Sequence, residues 1–303
     1  MSLGFSRFDA FTLAGTAIVA AIAISQPVQA KTAKEVAQVA VPTTVQINNT
    51  LSPDRSGSGV IVAKNGNTYT VLTANHVVNN PNSEFVIRTS KGKDYPVLPN
   101  SIVSFQSSGA GPDLAIAKFE SSEEYAVAPI SDSDEATIGS GVYISGYPLP
   151  ALGSTEREYA FTNGQISNVR SNNPEGYTLR YNAGTRRGMS GGPVFDVSGR
   201  VIGIHGQGDT VGIVQNESGG GSEDIKGLLN SGIPINTFMG LLTQAGIERS
   251  QLIVDDSAPE NADAEKINDG DVNRWFEAFA FNVGIDILRR GGVPVPGIPR
   301  LPF

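Results

Sequence analysis

From Val41 to Gly206 the apolar positions come in short runs broken by Gly, Asn, Pro and Ser. Gly59-Val60-Ile61-Val62 and Thr70-Val71-Leu72 flank Lys64-Asn65-Gly66-Asn67. An Asn-Gly pair between apolar runs is a hairpin signal, because it tolerates the positive φ that a tight β-turn needs. Val194-Phe195 and Val201-Ile202-Gly203-Ile204 flank Val197-Ser198-Gly199-Arg200 in the same manner. Val142 to Ile144, Gly164 to Val169 and Tyr177 to Tyr181 are expected to be further strands. Many short strands at this spacing predict an all-β sandwich or pair of barrels rather than βαβ units. No repeat of fixed period is present.

Beyond Gly206 the pattern changes. A helix is predicted from an N-cap at Asn236 or Thr237 through Phe238, Leu241, Leu242 and Ala245 to Gly246. Residues 251–271 form an acidic linker, with a net charge of −6 between Asp255 and Asp271. Its Asn268-Asp269-Gly270-Asp271 lacks the ligand spacing of an EF-hand, so a solvated linker is expected there. Within residues 272–303, a second helix is predicted from Val272 to Arg290, with Asp271 as cap and Arg289-Arg290-Gly291 at its end. Val272, Trp275, Phe276, Phe279, Val283 and Ile287 share one stripe of it. This helix is expected to dock on its own chain, with an oligomer contact through residues 272–290 or a membrane contact as alternatives. The chain ends in a proline-rich, extended tail.

Composition narrows the chemistry. The chain has 303 residues, a net charge of −8, no cysteine and two histidines, His76 and His205. An acidic chain without a basic stripe makes nucleic acid and anionic membranes poor partners. The absence of cysteine excludes disulfides, thiolate metal sites and cysteine nucleophiles, and two histidines exclude a zinc site built on several imidazoles. No metal or organic cofactor is expected. Residues 1–30 have the pattern of a signal peptide: Arg7, an apolar run from Phe11 to Ile24, then Val28-Gln29-Ala30 as a small-x-small cleavage site. The apolar run is short for a membrane span. The mature protein is therefore expected to be secreted or periplasmic, free of the membrane after signal cleavage. Lys31 to Ala40 is a candidate propeptide, although no cleavage site is evident in it.

The chemistry centres on Gly188-Met189-Ser190-Gly191-Gly192-Pro193. A serine among glycines ahead of a strand suits a nucleophile that backbone amides must approach closely. The N–H groups of Gly188 and Ser190 are the expected oxyanion hole. A serine hydroxyl needs an adjacent base near neutral pH, and His76, in Thr73-Ala74-Asn75-His76, ends a predicted strand. Asp113, just before the apolar Leu114-Ala115-Ile116-Ala117, supplies a carboxylate to fix the imidazole.

These three segments, in this order, resemble the chymotrypsin-like serine peptidases, whose signatures T-A-x-H, D-[IL]-A and G-x-S-G-G-P match residues 73–76, 113–115 and 188–193. The resemblance spans roughly residues 36–248. It implies a double six-stranded β-barrel over residues 31–250 with C-terminal helices. It also implies a triad of His76, Asp113 and Ser190 acting on protein or peptide substrates through an acyl-enzyme.

Within the family the cysteine-free chain is similar to the V8-type glutamyl endopeptidases and to the HtrA-type proteases. Gly146-Tyr147-Pro148 and His76-Val77-Val78 match the V8 branch. That likeness implies that His205 and Thr185 read an acidic P1 side chain, beside Gly184 at the pocket base and near Arg186 and Arg187. His205 as an ordinary strand histidine and the arginines as solvated surface are the plain alternatives. Met189 and Gly192 depart from the V8 pattern G-N-S-G-S-P. An HtrA-like enzyme normally carries a PDZ domain after the catalytic one, and the about fifty-five residues after Glu248 are too few for it. A catalytically silent peptide-binding module on the same fold is the third reading.

Overall fold

A computed structural model describes residues 30–107, 109–150, 155–215 and 222–257. The predicted signal segment before Ala30, the predicted acidic linker beyond Ser257, and the predicted helix and tail after Asp271 lie outside the described residues.

Seven strands form the first sheet: β1 Thr44–Asn49, β2 Gly57–Asn65, β3 Thr68–Ala74, β4 Phe85–Arg88, β5 Asp94–Pro96, β6 Val103–Ser104 and β7 Leu114–Glu120. Their order is β5-β4-β1-β2-β3-β7-β6, antiparallel throughout. The second sheet contains β8 Pro129–Ile130, β9 Gly141–Gly146, β10 Ala160–Val169, β11 Leu179–Tyr181, β12 Pro193–Asp196, β13 Val201–Gln215, β14 Ser222–Pro234 and β15 Ile253–Val254. It runs β12-β9-β10-β11-β14-β13-β8-β15, and an added β12–β13 pairing closes six of these strands into a ring. The architecture is the expected pair of antiparallel barrels, with one difference. The second closes on six strands, whereas the first is a seven-stranded half-barrel whose outer strands β5 and β6 do not pair with each other.

Alternation along the strands explains why their sequences are apolar on consecutive residues. Ile61, Val71, Ala115 and Ala117 point into the first barrel with Val45, Ile47 and Phe119. Their neighbours Val60, Val62, Leu72, Leu114 and Ile116 point the other way, into a core shared between the barrels. In the second barrel Val142, Ile144, Val194 and Ile202 line the interior, while Tyr143, Phe195, Val201 and Ile204 join the shared core. Both faces of the central strands are therefore dry, and the two barrels are fixed to each other by one continuous apolar layer.

A helix that the sequence pattern did not announce seals this layer. α1, Ala33–Thr43, starts in a reciprocal capping box: Glu35 N–H donates to Thr32 Oγ1 and Thr32 N–H to Glu35 Oε2. Ala33, Val36, Ala37 and Ala40 are buried in the shared core. Lys31 N–H also bonds to Val197 O at 2.8 Å, so the segment considered as a propeptide is part of the packed body.

The helix expected from Asn236 to Gly246 is two short ones, α3 Ile235–Met239 and α4 Leu242–Ala245, split at Gly240-Leu241. Glycine weakens a helix interior, which accounts for the break. Asn236 is not a cap: its Oδ1 accepts from Ser133 N–H, and its amide donates to Asp132 Oδ1. Gly246 ends α4 in the left-handed conformation, as expected.

Because Val36 is fully buried between the barrels, Val36→Ala is expected to lower unfolding stability by roughly 1–3 kcal/mol. Equilibrium urea denaturation measures this; an unchanged midpoint would mean that α1 is not part of the cooperative unit.

Candidate active site

The β3–β7 register pairs Ala74 with Leu114, so the residues just after β3 and just before β7 are neighbours. Asn75 N–H donates to Asp113 O at 3.0 Å. One turn of helix, α2 Asn75–Val78, then turns His76 back over Asp113. The carboxylate holds the histidine at two points: His76 N–H donates to Oδ1 at 2.8 Å, and Nδ1 lies 2.6 Å from Oδ2. With Nδ1–H as the donor, neutral His76 presents Nε2 as an acceptor. The Asp113 side chain is 7% exposed and that of His76 42%, so the acid is internal and the base faces outward.

A third donor reaches the same carboxylate. Tyr177 OH donates to Asp113 Oδ2 at 2.6 Å, from a fully buried ring. Burial pushes the Asp113 carboxyl up, but the hydrogen bonds from His76 and Tyr177 and the attraction to His76 outweigh it and hold it below the usual carboxylate range. Burial, together with the Asp113 charge, drives the Tyr177 phenol far above its ordinary value, so it remains a donor. Tyr177 also explains Gly206, where a Cβ would fall 2.0 Å from the phenol oxygen.

The Ser190 loop is anchored through its carbonyls. Arg186 O accepts from Met189 N–H at 3.1 Å, Arg187 O from Leu149 N–H at 2.8 Å, Met189 O from Gly192 N–H at 2.9 Å and Ser190 O from Ser58 N–H at 2.8 Å. Gly188 O accepts from Ser58 Oγ at 2.8 Å and from Arg157 Nη2 at 3.0 Å. In a trans peptide the N–H points opposite to the C=O, so fixing Arg187 O also fixes the direction of Gly188 N–H. From Gly188 to Gly192, the amides of Met189, Gly191 and Gly192 donate within the protein, and those of Gly188 and Ser190 have no acceptor among the described hydrogen bonds. These are the two amides expected to form the oxyanion hole.

The glycines are required by space. Gly188 has φ +96°, and a Cβ there would lie 2.5 Å from Leu149 N. At Gly192 it would lie 2.1 Å from Ser145 O, which accounts for the departure from serine at that position. Gly191 sits directly on the segment leading to His76, with room for no Cβ against Ser58 O and Thr73 Oγ1. The Ser190 hydroxyl donates to Gly206 O at 3.2 Å, and no hydrogen bond to His76 is among those described. Rotation about Cα–Cβ re-aims the hydroxyl between staggered positions, and such contacts commonly tighten only with substrate bound.

Thr185 and His205 each have a hydrogen-bonded side-chain partner. Thr185 Oγ1 donates to Asn230 Oδ1 at 2.5 Å, and Asn230 Nδ2 donates to Ala183 O. His205 is buried with Nδ1 2.7 Å from Tyr181 OH. β14 links the two groups, pairing Asn230 with Tyr181 and Gly232 with His205. Gly184 borders open space. Arg186 and Arg187 are exposed, and Arg187 reaches Asp54 at 3.7 Å. Tyr177, Asn230 and Arg157 were not singled out by the sequence; their contacts join residues far apart in the chain and leave no local spacing to find.

Residues 57–204 match the family described as trypsin-like peptidase domain. The chain carries a trypsin-like peptidase domain. That domain is similar to the serine protease Do-like HtrA of Lactococcus lactis subsp. lactis, 31% identical over 160 residues, or 49% of this chain and 36% of the relative. It is also similar to the glutamyl endopeptidase of Staphylococcus epidermidis, 32% identical over 165 residues, 50% of this chain and 53% of the relative. A third relative, a probable periplasmic serine endoprotease DegP-like of Rickettsia prowazekii, is 28% identical over 150 residues, 49% of this chain and 27% of the relative. The chain thus matches between about a quarter and a half of the length of these relatives. Among the described residues of the peptidase domain and its flanks, no helix is long and apolar enough to cross a membrane.

The depressed Asp113 value makes a pH prediction. Its contribution to stability is complete above the unfolded-chain pKa of about 3.9 and is lost as pH falls through the lower folded value. Tyr177→Phe removes one donor that depresses it, so acid unfolding should begin at higher pH than in the wild type. Circular dichroism along a pH titration measures this; superimposable acid transitions would contradict the assigned hydrogen bond.

Proposed function

We propose that the chain is a serine endopeptidase acting outside the cytoplasm, with His76, Asp113 and Ser190 as its catalytic groups. The observation that carries this reading is the Ser190 loop within the peptidase domain: every carbonyl from Arg186 to Ser190 is engaged, and the amides of Gly188 and Ser190 are left to receive an oxyanion. His76 takes the Ser190 proton as the hydroxyl attacks the scissile carbonyl, and then gives it to the leaving amine. Water, activated by the same imidazole, hydrolyses the acyl-enzyme. Asp113 fixes the tautomer and stabilises the imidazolium, with its own charge maintained by Tyr177.

For specificity we propose an acidic P1 residue. The support is two hydrogen-bonded pairs, Thr185 with Asn230 and Tyr181 with His205, joined through β14, with open space at Gly184 next to Thr185. Hydroxyl, amide and imidazole groups suit a carboxylate better than an apolar side chain. Removal of residues 1–30 by a signal peptidase is the proposed route out of the cytoplasm.

The test is labelling of the purified protein with a fluorophosphonate probe, followed by a panel of P1 substrates. The wild type is expected to gain the probe mass and Ser190→Ala none, with Glu-X cleaved at least about tenfold faster than Ala-X or Leu-X. Absence of labelling in both would favour a silent binding module. Equal cleavage of all three substrates would remove the acidic preference.

A further inference from the structure

Among the described residues, the side-chain partners of Arg157 are all neutral oxygens. No carboxylate pairs with it among the described residues, and burial lowers its guanidinium to about 10, so it remains charged at neutral pH. Its donors go to oxygens on four separate segments. Nη1 donates to Asn48 Oδ1 at 2.8 Å and to Ile47 O at 3.5 Å, both on β1. Nη2 donates to Gly57 O at 2.8 Å, to Gly188 O at 3.0 Å and to Tyr147 O. β1 and Gly57 belong to the first barrel; Tyr147 and Gly188 belong to the second. Nε is buried without an acceptor, a feature that adds nothing to stability and asks for another reason to keep the side chain there.

We infer that Arg157 is a positioning residue for the oxyanion hole, an inference that rests on the peptidase reading above. Gly188 lacks a Cβ and has φ +96°, so the peptides on either side of it rotate readily unless they are held. The Gly188–Met189 peptide is held at its oxygen by Arg157 and by Ser58 Oγ, and Ser58 Oγ itself accepts from Tyr147 N–H at 2.8 Å. The neighbouring Arg187–Gly188 peptide is held by Leu149 N–H, two residues along from the Tyr147 carbonyl that Arg157 also binds. One guanidinium therefore binds both the loop that bears the hole and the strand end that supports it, and ties both to the first barrel, which carries His76. A charged planar fork suits this better than lysine, whose ammonium cannot reach five oxygens in fixed directions. None of the five oxygens that Arg157 binds belongs to Gly184, Thr185, Tyr181, His205 or Asn230. Its effect should fall on the transition state rather than on substrate affinity.

The experiment is steady-state hydrolysis by full-length Arg157→Gln and Arg157→Lys, with fluorophosphonate labelling rates and thermal melting of each variant beside wild type. Arg157→Gln is expected to lose about tenfold to a hundredfold in kcat and in labelling rate, with KM within about twofold and folding retained. Arg157→Lys should recover only a small part. Added guanidinium ion should raise the kcat of Arg157→Ala and leave the wild type unchanged. Should the Arg157 variants fail to fold, Ser58→Ala removes the other side-chain donor to Gly188 O, and the same kcat loss at constant KM is expected. A folded Arg157→Gln with wild-type kcat, or one whose loss equals its unfolded fraction, overturns the inference while a labelled wild type upholds the peptidase reading. A wild type that neither labels nor hydrolyses overturns both.

Discussion

All five carbonyl oxygens from Arg186 to Ser190 are hydrogen-bonded, and the donors come from both barrels: Ser58 from the first, Leu149 and Arg157 from the second, the rest from the loop itself. A glycine-rich loop has no side chains with which to hold its own shape, and its conformational freedom is costly to restrain. Here the restraint is supplied carbonyl by carbonyl. The consequence is a pair of amides, Gly188 and Ser190, without an acceptor among the described residues, beside the hydroxyl of Ser190. Preorganised donors of this kind need no rearrangement when charge develops on a substrate, which is why they account for a large share of catalysis in acyl transfer. The shared apolar layer between the barrels, sealed by α1, is what keeps donors and loop in fixed relation.

The other half of the site follows a different rule. A buried carboxylate is costly unless its lone pairs are met. Asp113 meets them with His76 N–H, His76 Nδ1 and Tyr177 OH. The same contacts that make the charge tolerable also orient the imidazole, so stability and positioning are served by one set of bonds. The Tyr177 ring in turn explains Gly206, whose carbonyl receives the Ser190 hydroxyl. Asp113, His76 and the Ser190 loop are thus connected through a residue that has no sequence signature of its own.

Much of this was legible beforehand, and for physical reasons. The hairpins at Gly66 and Gly199 announced themselves because positive φ restricts which residues occupy a turn, and both glycines have it. The short strands were evident as consecutive apolar residues, the sign of strands dry on both faces. His76, Asp113 and Ser190 are proposed from local motifs, and the structure brings the first two into contact. α1 was not legible, because its buried face is built of Ala33, Val36, Ala37 and Ala40, a weak stripe whose clearest signal is the Thr32–Glu35 capping box. The half-open first sheet depends on tertiary pairing that no window of sequence contains, whereas the split at Gly240 follows from a local glycine within the predicted helix. Arg157, Tyr177 and Asn230 act over long separations, where an arginine or tyrosine is indistinguishable in sequence from any surface residue. His205 is the intermediate case: visible by its scarcity, yet given meaning only by Tyr181 beside it.

The most direct test of the preformed oxyanion hole is a crystal structure of the phosphonylated protein. The account predicts a bond from Ser190 Oγ to phosphorus, with the phosphoryl oxygen about 2.7–3.1 Å from the amide nitrogens of both Gly188 and Ser190 and the loop carbonyls still on their present donors. A phosphoryl oxygen turned to solvent, or a loop that must release Arg187 O or Gly188 O to accept it, would contradict that account.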